Sequence, residues 1–471
     1  MSFRQARTPQ WHGISKLSSS MAARARRRWL KASISGKIAV AEGRLHLVCT
    51  GVRVRGLQIA AQITGQSGMT ENPAHETEAR AVQNMRITFW GVQGSTPIFP
   101  TPYGVQEYSR RLAVYVLGRA VEQMQRLAQS SPDGRFSMHD LIGGEPTRAN
   151  IEAYQHRVGL PELPFYGGET TCVQVETDEG NAILLDAGTG IRRCSLEIVK
   201  RWEARRDRIL HIFGSHEHLD HRSGLTFSRF CYVEPNPYTI NVYGSYQFLH
   251  ALDQHYGLFS RRISDTTYVD DPVDYTTMPA TFKGLEFIRP GDTTPRKHRY
   301  WESHDMREPI RIGKTTITPF EVYHVIPVCL GYKIEHNGKT FVFATDHERR
   351  RGPDPSDPRQ QRSEAAEARL DHYCKDSDLA YLDGQYLLEE YLGNKGIGTL
   401  SAVPRLDWGH SCVEDVVERA KRCNIKRTLI GHHDPERAWP ERAELDQSLA
   451  KQCRDQPYQI QLADNDQVVD L

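Results

Sequence analysis

The feature that most constrains this chain is the run Phe213 to His221, Phe-Gly-Ser-His-Glu-His-Leu-Asp-His, which follows an apolar, strand-like segment from Arg208 to Phe213. It places three imidazoles and a carboxylate on one short loop. Imidazole and carboxylate together suit Zn, Mn or Fe, whereas calcium or magnesium would be held almost wholly by oxygens. His216 and His218 are two residues apart and can clamp one ion. Asp220 and His221 then face a second position beside it. An alternative is a polar loop in a chain that carries 20 His. A lone His-x-His would fit that reading well, but four such residues in register after a strand fit it poorly.

Further sequence blocks follow in a set order. They are MRITFWGVQGSTP at Met85–Pro97, YGGETTCVQVE at Tyr166–Glu176, ILLDAGTGIR at Ile183–Arg192, LGYKIE at Leu330–Glu335, FATDHE at Phe343–Glu348, WGHS at Trp408–Ser411 and IGHHDP at Ile430–Pro435. With the His-x-His-x-Asp-His run, these blocks resemble the metallo-β-lactamase superfamily. The branch they resemble is the phosphodiesterase type, similar to cyclic-nucleotide phosphodiesterases and distantly to the tRNA-processing endonuclease ribonuclease Z. The resemblance covers nearly all of Met85–Leu471, with one interruption. It implies an α/β (α+β) four-layer αββα sandwich. Apolar runs at Ile87–Phe89, Cys172–Val175, Ile183–Leu185 and Ile209–Phe213, divided by Gly-rich turns, read as strands of one sheet. Ile240–Tyr243, Leu285–Ile288, Thr316–Phe320, Cys329–Ile334, Phe341–Phe343, Leu379–Leu382 and Thr428–Ile430 supply the remainder. Ser363–Tyr373, Val413–Arg422 and Glu436–Cys453 carry helical spacing.

The resemblance also extends the ligand set. His324, Asp346 and His432 stand at the ends of strand-like segments, where a rigid scaffold presents ligands, and match the family's remaining metal positions. It implies His216, His218 and His324 on one ion, Asp220, His221 and His432 on the other, and Asp346 shared. Two divalent ions are expected, Zn foremost, with Mn or Fe suited to the same donors. Two ions roughly 3.5 to 4 Å apart can hold a bridging hydroxide near neutral pH, which makes Asp220 part of the catalytic centre. Asp186 is placed to orient a ligand imidazole or to cap its Gly-rich turn. His433 reads as a donor behind a ligand or a substrate contact, and His347 has no assigned role.

His410 is the candidate general acid because imidazole titrates near working pH. Asp383 occupies the place where the related endonucleases keep an acidic partner for that His. Alternatively, His410 is only a helix-entry residue before Ser411. Lactam and thioester hydrolysis need no such second His, whereas a phosphodiester with a poor alkoxide leaving group gains from one. The expected function is a binuclear metal-dependent phosphodiesterase acting on a small nucleotide-type or cyclic diester. An ester, lactone or thioester hydrolase on the same fold is the enzyme alternative, and a non-catalytic metal-binding sensor is the other. A redox relative would carry Glu in place of His218. The substrate-grasping arm and Arg-Asn pair of ribonuclease Z are missing, as is the Cys-rich zinc motif of the phosphonate-pathway phosphodiesterases.

Charge and cysteine content bound the partners. Residues 1–44 hold ten Lys or Arg and one acid, a balance of +9; with +1 for the whole chain, the remainder is +1 − 9 = −8. An acidic body argues against a stable nucleic-acid partner, which would need a basic face. A small-molecule phosphodiester is the expected partner, with no membrane contact; the sequence allows a homodimer. Nine Cys without a C-x-x-C pair indicate a reducing compartment, hence the cytoplasm. The Arg-rich, Ser-rich start also looks like an organelle transit peptide, or like an upstream extension before a true start at Met85. The domain reading is therefore a basic, poorly structured extension over 1–84, with a weak strand or two within Lys37–Leu57, and a hydrolase domain over 85–471.

Two features depart from the family. Glu169 stands where Asn is usual, and residues 98–165 form an insertion. Within it Glu107–Gln129 carries Leu112, Tyr115, Val116, Ala120, Met124 and Leu127 at helical spacing, which reads as a packed helix or as a lid over the cleft. The run His298–Trp301 is a second lid candidate.

Overall fold

The computed structural model describes residues 40–41, 44–45, 84–98, 116–127, 129, 137–157, 168–260, 278–291, 299–398 and 400–471. The chain divides into two compact units, Met1–Glu78 and Ala79–Leu471. In the first, β1 (Val40–Ala41) pairs antiparallel with β2 (Arg44–Leu45), within the segment expected to hold a weak strand; its other residues lie outside the described ones.

The second unit is built on two sheets. The first contains β3 (Met85–Gly91), β4 (Cys172–Thr177), β5 (Ala182–Leu185), β6 (Ile209–Phe213), β7 (Thr239–Gly244), β8 (Thr281–Ile288), β9 (Trp301–Asp305) and β17 (Gln467–Asp470). Its spatial order is β17-β3-β4-β5-β6-β7-β8-β9. The second contains β10 (Ile310–Ile312), β11 (Thr315–Val322), β12 (Cys329–His336), β13 (Lys339–Ala344), β14 (Leu379–Asp383), β15 (Arg427–Gly431) and β16 (Gln459–Leu462), in that order across the sheet.

Three apolar clusters show how these layers stack. Ile87, Phe89, Val173 and Phe213 of the first sheet meet Ile317, Tyr332, Phe341 and Tyr381 of the second in one buried core. The outer face of the first sheet packs on the helices Ile191–Arg201 and Tyr246–Tyr256. The outer face of the second packs on Pro358–Cys374, Val413–Arg422 and Trp439–Cys453. This is the expected αββα sandwich. Sheets covered on both faces explain why β5 is buried at all four positions and β14 at all five, so their apolar residues run on without alternation.

The parallel portions of both sheets matter most for function. β5, β6, β7 and β8 run parallel, as do β13, β14, β15 and β16. Ala344 stands opposite Leu382, and Leu382 opposite Ile430. The residues that leave β13, β14 and β15 therefore emerge at one level, which fixes Asp346, Asp383 and His432 at the same height.

The insertion contributes helices over 116–127, Met138–Ile142 and Arg148–Arg157. Ala120, Met124 and Leu127 pack against Leu141, Ile142 and Tyr154. That stripe is thus the inner face of a small helical cluster, while Leu112 and Tyr115 lie outside the described residues. Of the lid candidate His298–Trp301, His298 lies outside the described residues, and Trp301 is no lid residue: it opens edge strand β9, is buried against Phe259 and Tyr246, and donates from Nε1 to Glu286 Oε2 at 2.9 Å. Among the described residues, no helix is long and apolar enough to cross a membrane.

Phe89 tests the core. It is fully buried and stacks on Tyr381 at 5.5 Å, and Tyr381 in turn stacks on Phe343. Phe89→Ala should cost roughly 3 to 5 kcal/mol in a urea unfolding titration; a loss below about 1 kcal/mol would mean the two sheets do not meet there.

Candidate metal centre

The centre lies where the parallel strands end. Asp186 follows β5, His216–His221 follow β6, His324 follows β11, Asp346 follows β13, Asp383 closes β14 and His432 follows β15. Three of these, Asp186 (φ 61°), Asp346 (φ 52°) and His432 (φ 56°), hold left-handed backbone that non-glycine residues seldom adopt. Such strain persists where the surrounding structure enforces it, and it concentrates at functional sites.

All seven proposed ligands come together. His216, His218, His324 and Asp346 form one group and Asp220, His221 and His432 another, with the donor atoms of each group within 4.8 Å of one another. Asp346 joins the two. Its Oδ2 lies 3.6 Å from His216 Nε2 and 3.9 Å from His324 Nε2, while Oδ1 lies 3.1 Å from both His221 Nε2 and His432 Nε2. His218 Nδ1 stands 3.3 Å from His324 Nε2. Asp220 Oδ2 lies 3.2 Å from His221 Nε2 and 3.3 Å from His432 Nε2, and accepts the backbone N–H of Ser95 at 2.8 Å.

The far sides of the rings fix their tautomers. Asp186 accepts from the Ser215 N–H at 2.7 Å and from the Ser215 hydroxyl at 2.8 Å, and its Oδ2 lies 2.7 Å from His221 Nδ1. A carboxylate only accepts, so His221 Nδ1 carries the proton and Nε2 a lone pair. The Ser215 hydroxyl, its proton given to Asp186, accepts from His216 Nδ1 at 3.0 Å, which leaves His216 Nε2 bare as well. His324 Nδ1 donates to the Gly409 carbonyl at 2.9 Å. Three imidazoles thus turn lone pairs toward the Asp346 carboxylate.

These residues fit a pair of divalent cations. The Nε2 atoms of His216 and His221 are buried without a hydrogen bond, an expensive arrangement unless something at the centre accepts their lone pairs. Burial works against the Asp346 charge, yet His432, His221 and His216 hold that carboxyl well below its usual range. Burial likewise lowers His221, but Asp220, Asp346 and Asp186 outweigh it and raise the ring above its ordinary value. For His216 and His324 burial wins, taking His324 down to about 3. The buried carboxylates therefore draw positive charge to a place where most of the rings stay neutral.

His410 stands at the edge of this cluster. Its Nδ1 lies 2.8 Å from Asp383 Oδ2, and its ring stacks on His432 at 4.8 Å. Burial lowers its pKa, but Asp383, together with Asp346 and Asp220, outweighs that and holds it at about 9. Asp383 is positioned in turn by the N–H groups of Gln385 (3.0 Å) and His347 (3.2 Å). The helix beyond begins at Val413, and the Ser411 hydroxyl donates to the His347 carbonyl, so neither His410 nor Ser411 serves as its cap.

Other residues receive roles that the sequence left open. His347 faces away, with Nε2 2.6 Å from Glu367 Oε1. His433 is no substrate contact: its Nε2 donates to the Ala463 carbonyl at 2.8 Å, on the far side of its turn. Glu169 holds its loop through its backbone, its carbonyl accepting from the N–H groups of Val92 and Gln93. Glu348 was missed altogether. Buried, it accepts from the Tyr391 hydroxyl at 2.6 Å and from the N–H groups of Asp407 and Gly409, both at 2.9 Å. It thereby sets the turn whose Gly409 carbonyl orients His324. A Cβ at Gly409 would collide with the His324 ring, at a backbone φ of 91° that itself favours glycine.

Two outcomes follow from this geometry. Asp346→Asn should reduce bound metal, by elemental analysis after dialysis, from about two ions per chain to one or none. Asp186→Asn should weaken metal binding by 10- to 100-fold in a chelator competition while the fold, by circular dichroism, stays native; unchanged affinity would refute its orienting role.

A search of the curated proteins finds no match. Among solved structures, the chain is similar to a diphosphatase of the PhnP family (14% identity, TM-score 0.42, 82% of this chain and 98% of that one). It is likewise similar to the short form of human tRNase Z (14% identity, TM-score 0.41, 82% and 98%) and to zinc-bound PqqB from Methylobacterium extorquens (14% identity, TM-score 0.43, 82% and 100%). Residues 181–433, more than half of the chain and the stretch that holds every His and Asp of the centre, match the family model of the beta-lactamase superfamily domain. With that match, the two-sheet sandwich and the His/Asp cluster at its strand ends, the chain belongs to the beta-lactamase superfamily, as a metal-dependent hydrolase.

Proposed function

We propose that this protein is a phosphodiesterase with a binuclear metal centre, acting on a small phosphodiester. The observation that carries the reading is the pairing of two features within one cluster. Asp346 divides its two oxygens between two His groups, and His410, held by Asp383, stacks against one of the same rings. His216, His218 and His324 would hold one ion, Asp220, His221 and His432 the other, and Asp346 both; Zn is the first expectation, with Mn and Fe suited to the same donors. When bound, the ions would supply a water activated near neutral pH and Lewis acidity for the charge that develops on the phosphoryl oxygens.

The chain's own residues complete the reaction. Because Asp383 occupies Nδ1, the proton delivered to the leaving alkoxide comes from Nε2 of His410, on the ring that lines the adjoining cleft. Asp383 keeps that ring oriented and charged, so it is ready to donate at neutral pH. Hydrolysis of a lactam or thioester would leave this dyad without a task, which is why the ester, lactone and thioester reading ranks second. A sensor that does not turn over would have no use for it either. The eight described cysteines are free thiols, in keeping with a proposed reducing, cytoplasmic setting.

His410→Ala is the test. Reconstituted with Mn or Zn, wild type and variant should each bind about two ions per chain and hydrolyse bis-p-nitrophenyl phosphate at rates within a few-fold, because nitrophenolate leaves unaided. On diesters with alkoxide leaving groups the variant should lose 10²- to 10⁴-fold in kcat. Equal rates on such diesters would remove His410 from the acid role. Two bound ions without turnover of any diester would shift the assignment to carboxylic esters, lactones or thioesters.

A further inference from the structure

In front of His410 opens a cleft of about 700 Å³, a volume typical of small-molecule sites. Part of its wall is aromatic, formed by Tyr386, Trp408 and His410. Trp408, two residues before His410, is 52% exposed there, an unusual expense for so large an apolar ring. The Arg405 guanidinium lies 5.6 Å from the Trp408 ring centroid and 5.2 Å from that of Tyr386, and Tyr386 meets His410 edge-on at 5.9 Å. Arg405 is itself only 2% exposed, with Nη1 donating to the carbonyls of Glu390 and Val403. It therefore braces two rings and offers a ligand almost no charge.

Apart from Arg405 and His410, the charged side chains on this cleft are acidic. Asp407, Asp434 and Glu436 line it beside Arg405 and the His410 ring. Asp407 is already paired with Arg350 and Arg359, but Asp434 and Glu436 would repel a second phosphate or a nucleic-acid backbone. A flat group without negative charge would meet an exposed indole face instead.

We propose that this cleft is the leaving-group subsite and that it takes a planar, uncharged or cationic group, a nucleobase in chemical class, stacked on Trp408. The proposal rests on the phosphodiesterase reading for the identity of the group, while the stacking surface exists independently of the reaction. A group on Trp408 shares the cleft with His410, so its alkoxide oxygen lies on the side from which the proton is delivered.

Calorimetric titration of the metal-loaded full chain with adenosine, an uncharged nucleoside with no phosphate, tests the surface directly. Trp408→Ala should raise the Kd about tenfold and Trp408→Phe should restore most of it, as base stacking on aromatic side chains requires. In parallel, the alanine variant should raise KM for bis-p-nitrophenyl phosphate several-fold and keep kcat within twofold, with metal content unchanged. Adenosine binding that ignores Trp408, or no binding at millimolar concentration, overturns the subsite, and the phosphodiesterase reading stands if diesters are still hydrolysed. Trp408-dependent binding without hydrolysis of any diester does the reverse: the subsite stands and the phosphodiesterase reading falls.

Discussion

The architecture of this site depends on one carboxylate. Asp346 is buried between four imidazoles, and each of its oxygens faces a different pair of Nε2 atoms. That division requires the loop from β6 to reach both sides, joined on one by the loop after β11 and on the other by the turn after β15. The two sheets bring this about by packing their parallel strand ends together. Level register across β13, β14 and β15 sets the height, and left-handed backbone at Asp346 and His432 turns both side chains over the end of the sheet. Propensity alone would not place non-glycine residues in that conformation, so packing around them must enforce it.

Behind the ligands, a network of partners holds each ring to one tautomer. Asp186 and Ser215 serve His221 and His216, and the Gly409 carbonyl serves His324. Glu348 ties Gly409, Asp407 and Tyr391 to the segment that follows Asp346. The turn that leads to His410 is consequently set by the same stretch of chain as the shared carboxylate. The ligand His324 and the proton donor are coupled through one buried carboxylate, Glu348, that accepts from the backbone of the turn between them. The Tyr386–Cys412 bridge, with Val413 N donating to Tyr386 O, then locks the Asp383 loop beside His410.

Much of this was legible in the sequence because the first ligands are contiguous. Six residues after β6 carry four of them, and their spacing needs no tertiary knowledge to read. His324, Asp346 and His432 were reached only through strand ends and family resemblance, since each is alone in its segment. Glu348 could not be found that way: its function lies in three hydrogen bonds to residues 43 or more positions away. The missed strands β9, β10, β16 and β17 are short, and all four edge their sheets, where pairing with a neighbour and not side-chain pattern makes a strand. The helix Ile191–Arg201 was hidden for another reason: Ile191, Cys194 and Ile198 form its buried face, but four cations crowd the other.

The account's central claim is that two metal ions share Asp346. Electron paramagnetic resonance of the protein loaded with two Mn²⁺ per chain tests it without reference to any substrate. Ions within about 4 Å, bridged by one carboxylate, are expected to couple and give a broadened multiline spectrum of an exchange-coupled pair. A simple six-line signal of isolated Mn²⁺ at full loading would contradict the shared carboxylate and the binuclear centre built on it.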